Sequence, residues 1–288
     1  MLEDLLGFSP QWLLLALGPL FGLTMLAEFI ALRRRSDLPS ACYTWTDTIS
    51  NAALAALYQV GEAATITAVA VIYGALFNYR LFEIPLTPWT LLLLLLLQDF
   101  CYYFFHLAHH RIRWCWCSHV VHHSSERLNY STAFRQSLTY PLSGMWVFWI
   151  PLVIVGFPPE AVLLSVSISL AYQFFIHSQL VPKLGPLEWV LNTPSHHRAH
   201  HGRNARYIDR NYGGILIIWD RLFGTFVEES EAEPPAFGIP DPIHSHNPLT
   251  LTFHEWKRMF RDAGRPGLSL RQRLAVLLSP PAGPKSRS

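Results

Sequence analysis

Charge is scarce in this sequence. Only 15% of its 288 residues are Asp, Glu, Lys or Arg, against about a quarter in an ordinary soluble domain, which argues against a chain surrounded by water. The net charge of +2 is too small to hold a polyanion, so no nucleic acid is expected as a partner. Cysteine is scarce too. Cys42, Cys101, Cys115 and Cys117 form no paired framework, which excludes a disulfide scaffold and an all-thiolate metal site; the close Cys115/Cys117 pair reads as packing. No long internal repeat is present.

What the chain has instead is apolar: 51% hydrophobic residues, 14% of the whole being aromatic. Residues 11–32 carry one charge, Glu28, and as a helix would span the roughly 30 Å of a hydrocarbon core. Glu3 and Asp4 precede this run and Arg33, Arg34 and Arg35 follow it, the reverse of a signal peptide, so a membrane anchor is expected. Further apolar runs cover 52–77, 89–105, 142–157 and 161–176, the first of these interrupted by Glu62 and several threonines and the last two joined by a Gly156-Phe157-Pro158-Pro159 turn. The expected fold is an all-α polytopic membrane protein with four or five spans or half-spans. Basic residues collect in cytosolic loops. Strict alternation places every Lys and Arg except Arg80 on the cytosolic side, together with all the histidine clusters.

Those histidines are the chemical signal. Eleven of fourteen fall between His106 and His201, and the pattern His-x-x-His-His occurs three times, at His106/His109/His110, His119/His122/His123 and His197/His200/His201. Positions i, i+3 and i+4 share one side of a helix, so each copy can aim imidazoles at a common point. Imidazole suits iron, zinc, copper and nickel and disfavours magnesium and calcium. A catalytic zinc takes three protein ligands and a structural one four; at least eight clustered histidines therefore point to two metals. A redox-active pair at a membrane surface points to dioxygen chemistry on a lipid. His177 ends the last apolar run at the depth of the other clusters and joins them as a candidate. Asp99, two helical turns before His106, is expected to accept the free ring N–H of a ligand.

The segments DFCYYFFHLAHHRIRWCWCSHVVHHSSERLNYSTAFRQS, QFFIHSQL and NTPSHHRAHHGRNARYIDRNYGGILIIWDRLFGTF resemble the fatty acid hydroxylase/sterol desaturase superfamily, and within it the alkylglycerol monooxygenase branch and its bacterial relatives. The resemblance covers about 98–262. It implies a metal-ligand set of His106 and His110, His119, His122 and His123, His177, and His197, His200 and His201 with His196 beside them. His109 fits the local spacing but not the family pattern and becomes a supporting residue, as do Asn129, Gln136, Asn204 and Asp220. The resemblance further implies two iron ions, replaceable by zinc in recombinant material, O2, and a reductant that is tetrahydrobiopterin or an electron-transfer protein. Two positions depart from the pattern. Leu107 stands where an Arg commonly follows the first histidine, and Arg111 where the alkylglycerol enzymes have a Glu.

The chain thus divides into a transmembrane region (1–105), the first two histidine motifs (106–139), a membrane hairpin (140–180), the third motif (181–228) and a strap, interfacial helix and tail (229–288). The expected function is O2-dependent oxidation of a lipid C–H bond, with an ether lipid as substrate or, alternatively, a sterol or fatty acyl chain. The competing classes are a membrane metal transporter, which would place ionisable residues deep within several spans, and a non-catalytic lipid-binding relative, which would not need a complete ligand set. The compact length favours a bacterial inner membrane over the endoplasmic reticulum.

Overall fold

The computed structural model describes residues 13–281; the acidic lead-in at Glu3 and Asp4 and the end of the proline-rich tail lie outside them. Every regular element is helical. Among the described residues no β-strand forms, only isolated bridges such as Leu191 to Leu216 and Gly202 to Phe237.

The run over 11–32 is not one unbroken helix. A turn at Leu13–Ala16 is separated at Leu17 from α1, Gly18–Leu32, because a proline beside the start has no N–H to give and favours a new first turn. Glu28 does not face outward from α1. It is buried, and its carboxylate accepts from Ser178 Oγ (2.6 Å), the Tyr130 N–H (2.8 Å) and the Tyr43 hydroxyl, tying α1 to the residue after His177.

Among the described residues, two helices are long and apolar enough to cross a membrane: α2, Trp45–Phe77, and α3, Pro88–Arg111. The stretch interrupted by Glu62 therefore lies in the longest helix, 33 residues, while the runs at 142–157 and 161–176 give only short elements. α3 starts at a capping box in which Thr87 and Thr90 satisfy each other's backbone N–H groups, with Pro88 in the first turn, and ends where Ile112 turns extended. Only 17% of an 18-residue apolar stretch of α2 and 39% of one in α3 is buried against the protein, so both helices present broad apolar faces outward. Their outward faces carry Val60, Val71, Leu92 and Leu96.

A 3-10 segment, Met145–Trp149, leads into α5, Ile150–Val155, which turns at Gly156 into α6, Pro159–Phe175. Gly156 has φ +131°, and a Cβ there would collide with the Phe82 carbonyl, so only glycine fits this turn. Tyr73, Leu94, Phe105, Trp149, Val153, Phe157 and Val162 fill the space between α2, α3, α5 and α6.

α4, Arg113–His123, folds back from the end of α3 after the single residue Ile112. Arg135, 1% exposed, joins α4 to the start of α2: its guanidinium donates to the Val121 carbonyl (3.0 Å), Ser124 Oγ (3.0 Å), Asn51 Oδ1 (2.9 Å) and Asp47 Oδ1 (3.4 Å). The third motif lies on α7, Pro194–His200, followed by the short α8, Ile218–Phe223. The strap at 229–248 crosses back through the Gly202 to Phe237 bridge. It leads to α9, Pro248–Ala263, and α10, Leu270–Leu278. One side of α9 packs on α4, where Arg113 pairs with Glu255 (3.0 Å) and Asp262 (2.8 Å).

Candidate metal centre

Nine buried imidazoles meet where α3, α4, α7 and the end of α6 converge, in two groups. The first contains His106, His110, His119, His123 and His200; the second contains His122, His177, His197 and His201. Within each group the potential ligand nitrogens all lie within 4.8 Å of one another.

Helix geometry explains the sorting. In each motif positions i and i+4 are about 40° apart around the axis, while i+3 lies on the other side of i. So His119 and His123 enter the first group and His122 the second; in the third motif His197 and His201 enter the second and His200 the first. Each adjacent His-His pair on α4 and at the end of α7 straddles the two groups, and the His123 and His201 rings stack with centroids 4.4 Å apart. The first motif obeys the same rule with His106 and His110. Its i+3 residue, His109, points the other way: its ring stacks on Tyr140 at 4° between planes, and its Nδ1 donates to the Phe105 carbonyl (2.7 Å). The second group is completed by His177 instead.

Nitrogen approaches inside the groups are close. Nε2 of His119 lies 3.1 Å from Nε2 of both His106 and His123, and Nε2 of His177 lies 2.9 Å from that of His197 and 3.2 Å from that of His122. Backbone carbonyls fix three of the tautomers: Nδ1 of His106 donates to Tyr212 (2.9 Å), Nδ1 of His177 to Gln173 (2.7 Å) and Nδ1 of His200 to Arg210 (2.8 Å). Each Nε2 lone pair is thereby left facing inward. Burial, reinforced by neighbouring imidazoles, holds His119, His122, His123, His197 and His201 well below the usual histidine range. Burial likewise takes His177 and His200 down to about 4, so these rings are neutral donors at neutral pH. Nε2 of His110 and of His200 are buried with no hydrogen-bond partner; Nε2 of His109 and His196 share that state outside the groups, so it is the convergence of the rings that marks the ligands. The donor set fits two borderline transition metals.

Several residues expected to support the ligands stand elsewhere. Asp99 accepts from the N–H groups of Ile215 (2.7 Å) and Leu216 (3.0 Å) and from Trp219 Nε1 (2.9 Å), not from a histidine; seven residues down the helix is about 10 Å from His106, too far for a direct bond. Asp220 accepts from Tyr212 and Gly213 N–H (both 2.7 Å) and Thr225 Oγ1 (2.6 Å). Both carboxylates hold the loop that presents the Tyr212 carbonyl, and so act on His106 at one remove. Asn129 closes onto Ser131 and the Ala41 carbonyl, Gln136 onto the Ala133 carbonyl, and Asn204 onto Pro234 and Ala236 of the strap. His196 joins neither group. It is the third residue of the α7 capping box with Thr193, and its Nε2 faces Glu188 at 3.8 Å.

Residue type and spacing carry little sign of the groups that do touch the ligands. The Tyr140 hydroxyl lies 2.9 Å from Nδ1 of His119, and Asp209 lies 3.5 Å from Nδ1 of His110 and 3.6 Å from Arg111. Asp209 and Asn211 both adopt left-handed backbone (φ 60° and 58°), bracketing the carbonyl that receives His200. Asp and Asn are enriched in that conformation, so the Asp-Arg-Asn string was the one available clue. Tyr140→Phe keeps the ring against His109 and removes the bond to His119; metal affinity or turnover is expected to fall about 10- to 100-fold with an unchanged melting profile, measured by metal content and product formation on the same sample.

Residues 91–225 match the fatty acid hydroxylase family model. The human alkylglycerol monooxygenase is 47% identical over 62% of this chain and 39% of its own length, and the zebrafish (Danio rerio) alkylglycerol monooxygenase 45% identical over 65% of this chain and 42% of its own. An ornithine lipid hydroxylase of Rhizobium tropici is 31% identical over 52% of this chain and 45% of its own length. The chain thus spans less than half the length of these relatives. No solved structure matches. The resemblance carried by the histidine motifs is borne out.

Proposed function

From a chain whose residues 91–225 match the fatty acid hydroxylase family, we propose a membrane-bound, O2-dependent di-iron monooxygenase acting on a lipid C–H bond, with an ether lipid of the alkylglycerol type as substrate. The observation that carries this reading is the division of nine buried histidines into two adjacent groups at the end of an apolar, membrane-length helix.

In this reading α2 and α3 cross the bilayer, and the histidine end faces the cytosol with nearly all the basic residues. Two irons would be held by His106, His110, His119, His123 and His200, and by His122, His177, His197 and His201. When bound they supply the means to reduce O2 with two external electrons, converting R–H, O2 and two protons to R–OH and water. The protein keeps bulk water out by burying every one of these rings to 6% exposure or less. It fixes ring orientation through the carbonyls of Tyr212, Gln173 and Arg210, and the Tyr140 hydroxyl oxygen accepts the Nδ1 proton of His119, leaving its Nε2 to the metal. Hydroxylation of the carbon beside an ether oxygen gives a hemiacetal that separates into an aldehyde and a glycerol derivative. The electron donor is tetrahydrobiopterin or an electron-transfer protein.

A sterol or fatty acyl substrate is the second reading, favoured by Arg111: it sits beside Asp209 and His110, and its positive charge stands where the alkylglycerol enzymes are expected to carry a Glu. Protein from iron-replete cells should contain about two irons per chain, matching the two groups, and convert an alkylglycerol to aldehyde only with O2 and reductant. Two irons with hydroxylated sterol or acyl product instead would select the second reading; a chain that holds no transition metal would overturn both.

A further inference from the structure

The C-terminal helical hairpin presents a second surface, outside the histidine centre and outside the family match. α10 is built the wrong way round for a helix facing water. Its exposed residues are Leu270 (73% exposed), Leu274 (47%) and Leu278 (60%) with Arg271, Gln272 and Ala275, and none of its residues is buried. A helix packed on a protein and bathed in water shows polar side chains on its exposed face.

The place of this stripe in the fold says what covers it. The Arg113 N–H donates to the Ser279 carbonyl (3.0 Å), and Arg113 follows Ile112, where α3 ends. The end of α10 is therefore level with the end of a helix long enough to cross a bilayer. Trp114, Trp256 and Phe260 cluster in the same region, with centroids 4.8 Å and 6.0 Å apart along the series, and Phe260 is 53% exposed. Aromatic side chains of this kind favour the headgroup level of a membrane.

Charge narrows the occupant further. Between Pro248 and Leu278 the only acids are Glu255 and Asp262, both engaged by Arg113. Against them stand Lys257, Arg258, Arg261, Arg265, Arg271 and Arg273. Arg258 pairs with Asp241, Arg265 with Asp262, and Arg273 closes the hairpin on the Ala263 carbonyl. Lys257 and Arg261 share one edge of α9 and, with Arg258 and His254, outnumber Asp241 around a shallow notch of about 370 Å³.

We infer that the α9–α10 hairpin rests on the anionic headgroup layer of the bilayer, with Leu270, Leu274 and Leu278 in the acyl boundary and Lys257, Arg261 and Arg271 against the phosphates. The inference depends on the membrane placement proposed above. Because α9 also packs on α4, the lipid surface braces the helix that carries His119, His122 and His123.

The test uses the full chain in vesicles of phosphatidylcholine alone or with one-third phosphatidylglycerol, carrying an environment-sensitive label at Leu274→Cys or, as a reference on the exposed strap, at Glu231→Cys. Labelled wild type gives the background from the four native cysteines. Failure to reconstitute into either vesicle would count against the membrane placement itself. In reconstituted protein, the Leu274 label should be several-fold better quenched by brominated acyl chains and several-fold less by aqueous iodide than the Glu231 label, with the contrast larger in the anionic vesicles and reduced by Lys257→Glu/Arg261→Glu/Arg271→Glu. Equal iodide quenching at the two positions would overturn the inference. So would lipid contact indifferent to phosphatidylglycerol, or cross-linking of Leu274→Cys between two copies, which would make the stripe a dimer face.

Discussion

His122→Ala is expected to abolish turnover and to lower bound iron from two per chain toward one, in protein that still folds. The second group has only four histidines, and losing His122 leaves His177, His197 and His201. Even partners that merely orient a ligand are worth about 10- to 100-fold in affinity or activity, so removal of a ligand should exceed 100-fold. The informative comparison is His109→Ala. It lies in the same kind of motif and is equally buried, but its ring faces Tyr140 and Phe105, so two irons should be retained. Metal analysis of the two variants side by side separates ligand from neighbour; full activity with two irons in His122→Ala would remove that residue from the site.

Arg135→Met should produce the largest loss of stability, about 3–5 kcal/mol, because it leaves Asp47 as a buried carboxylate without its cation. The same change removes donors from the Val121 carbonyl and Ser124, at the end of α4. The His122/His123 turn should loosen with it. Arg135→Met/Asp47→Leu should recover most of the stability, since a buried ion pair can be replaced by apolar packing at little net cost, and the remaining deficit would report on Ser125 and Asn51, which also use that network. Thermal unfolding in detergent, with and without iron, measures both. A single variant as stable as wild type would show that Arg135 is not holding the two elements together.

How much of this was legible beforehand differs between ligands and scaffold. A ligand histidine advertises itself by residue type and by i, i+3, i+4 spacing, so the nine that converge could be named from the motifs and the resemblance. His109 and His196 show the limit of spacing alone: both sit within the motifs' reach, but one points along the wrong side of α3 and the other is taken up in a helix cap. Asp99 was misplaced because sequence distance along a helix was read as proximity, when its carboxylate reaches a loop more than a hundred residues away. Helix lengths depended on details that average hydropathy does not register. Gly18 and Pro19 divided one apolar run, and Glu62, half-buried on the longest helix, did not interrupt another.

Three of the inner imidazoles are oriented by oxygens that belong to the peptide bond and not to a side chain. Gln173, Arg210 and Tyr212 can therefore exchange their side chains with little effect on those bonds, while a single inserted or deleted residue between 202 and 212 would shift two of the three acceptors together. In homologous proteins this segment should stay constant in length, with Asp209 and Asn211 kept for their own contacts and left-handed backbone and position 210 free to drift.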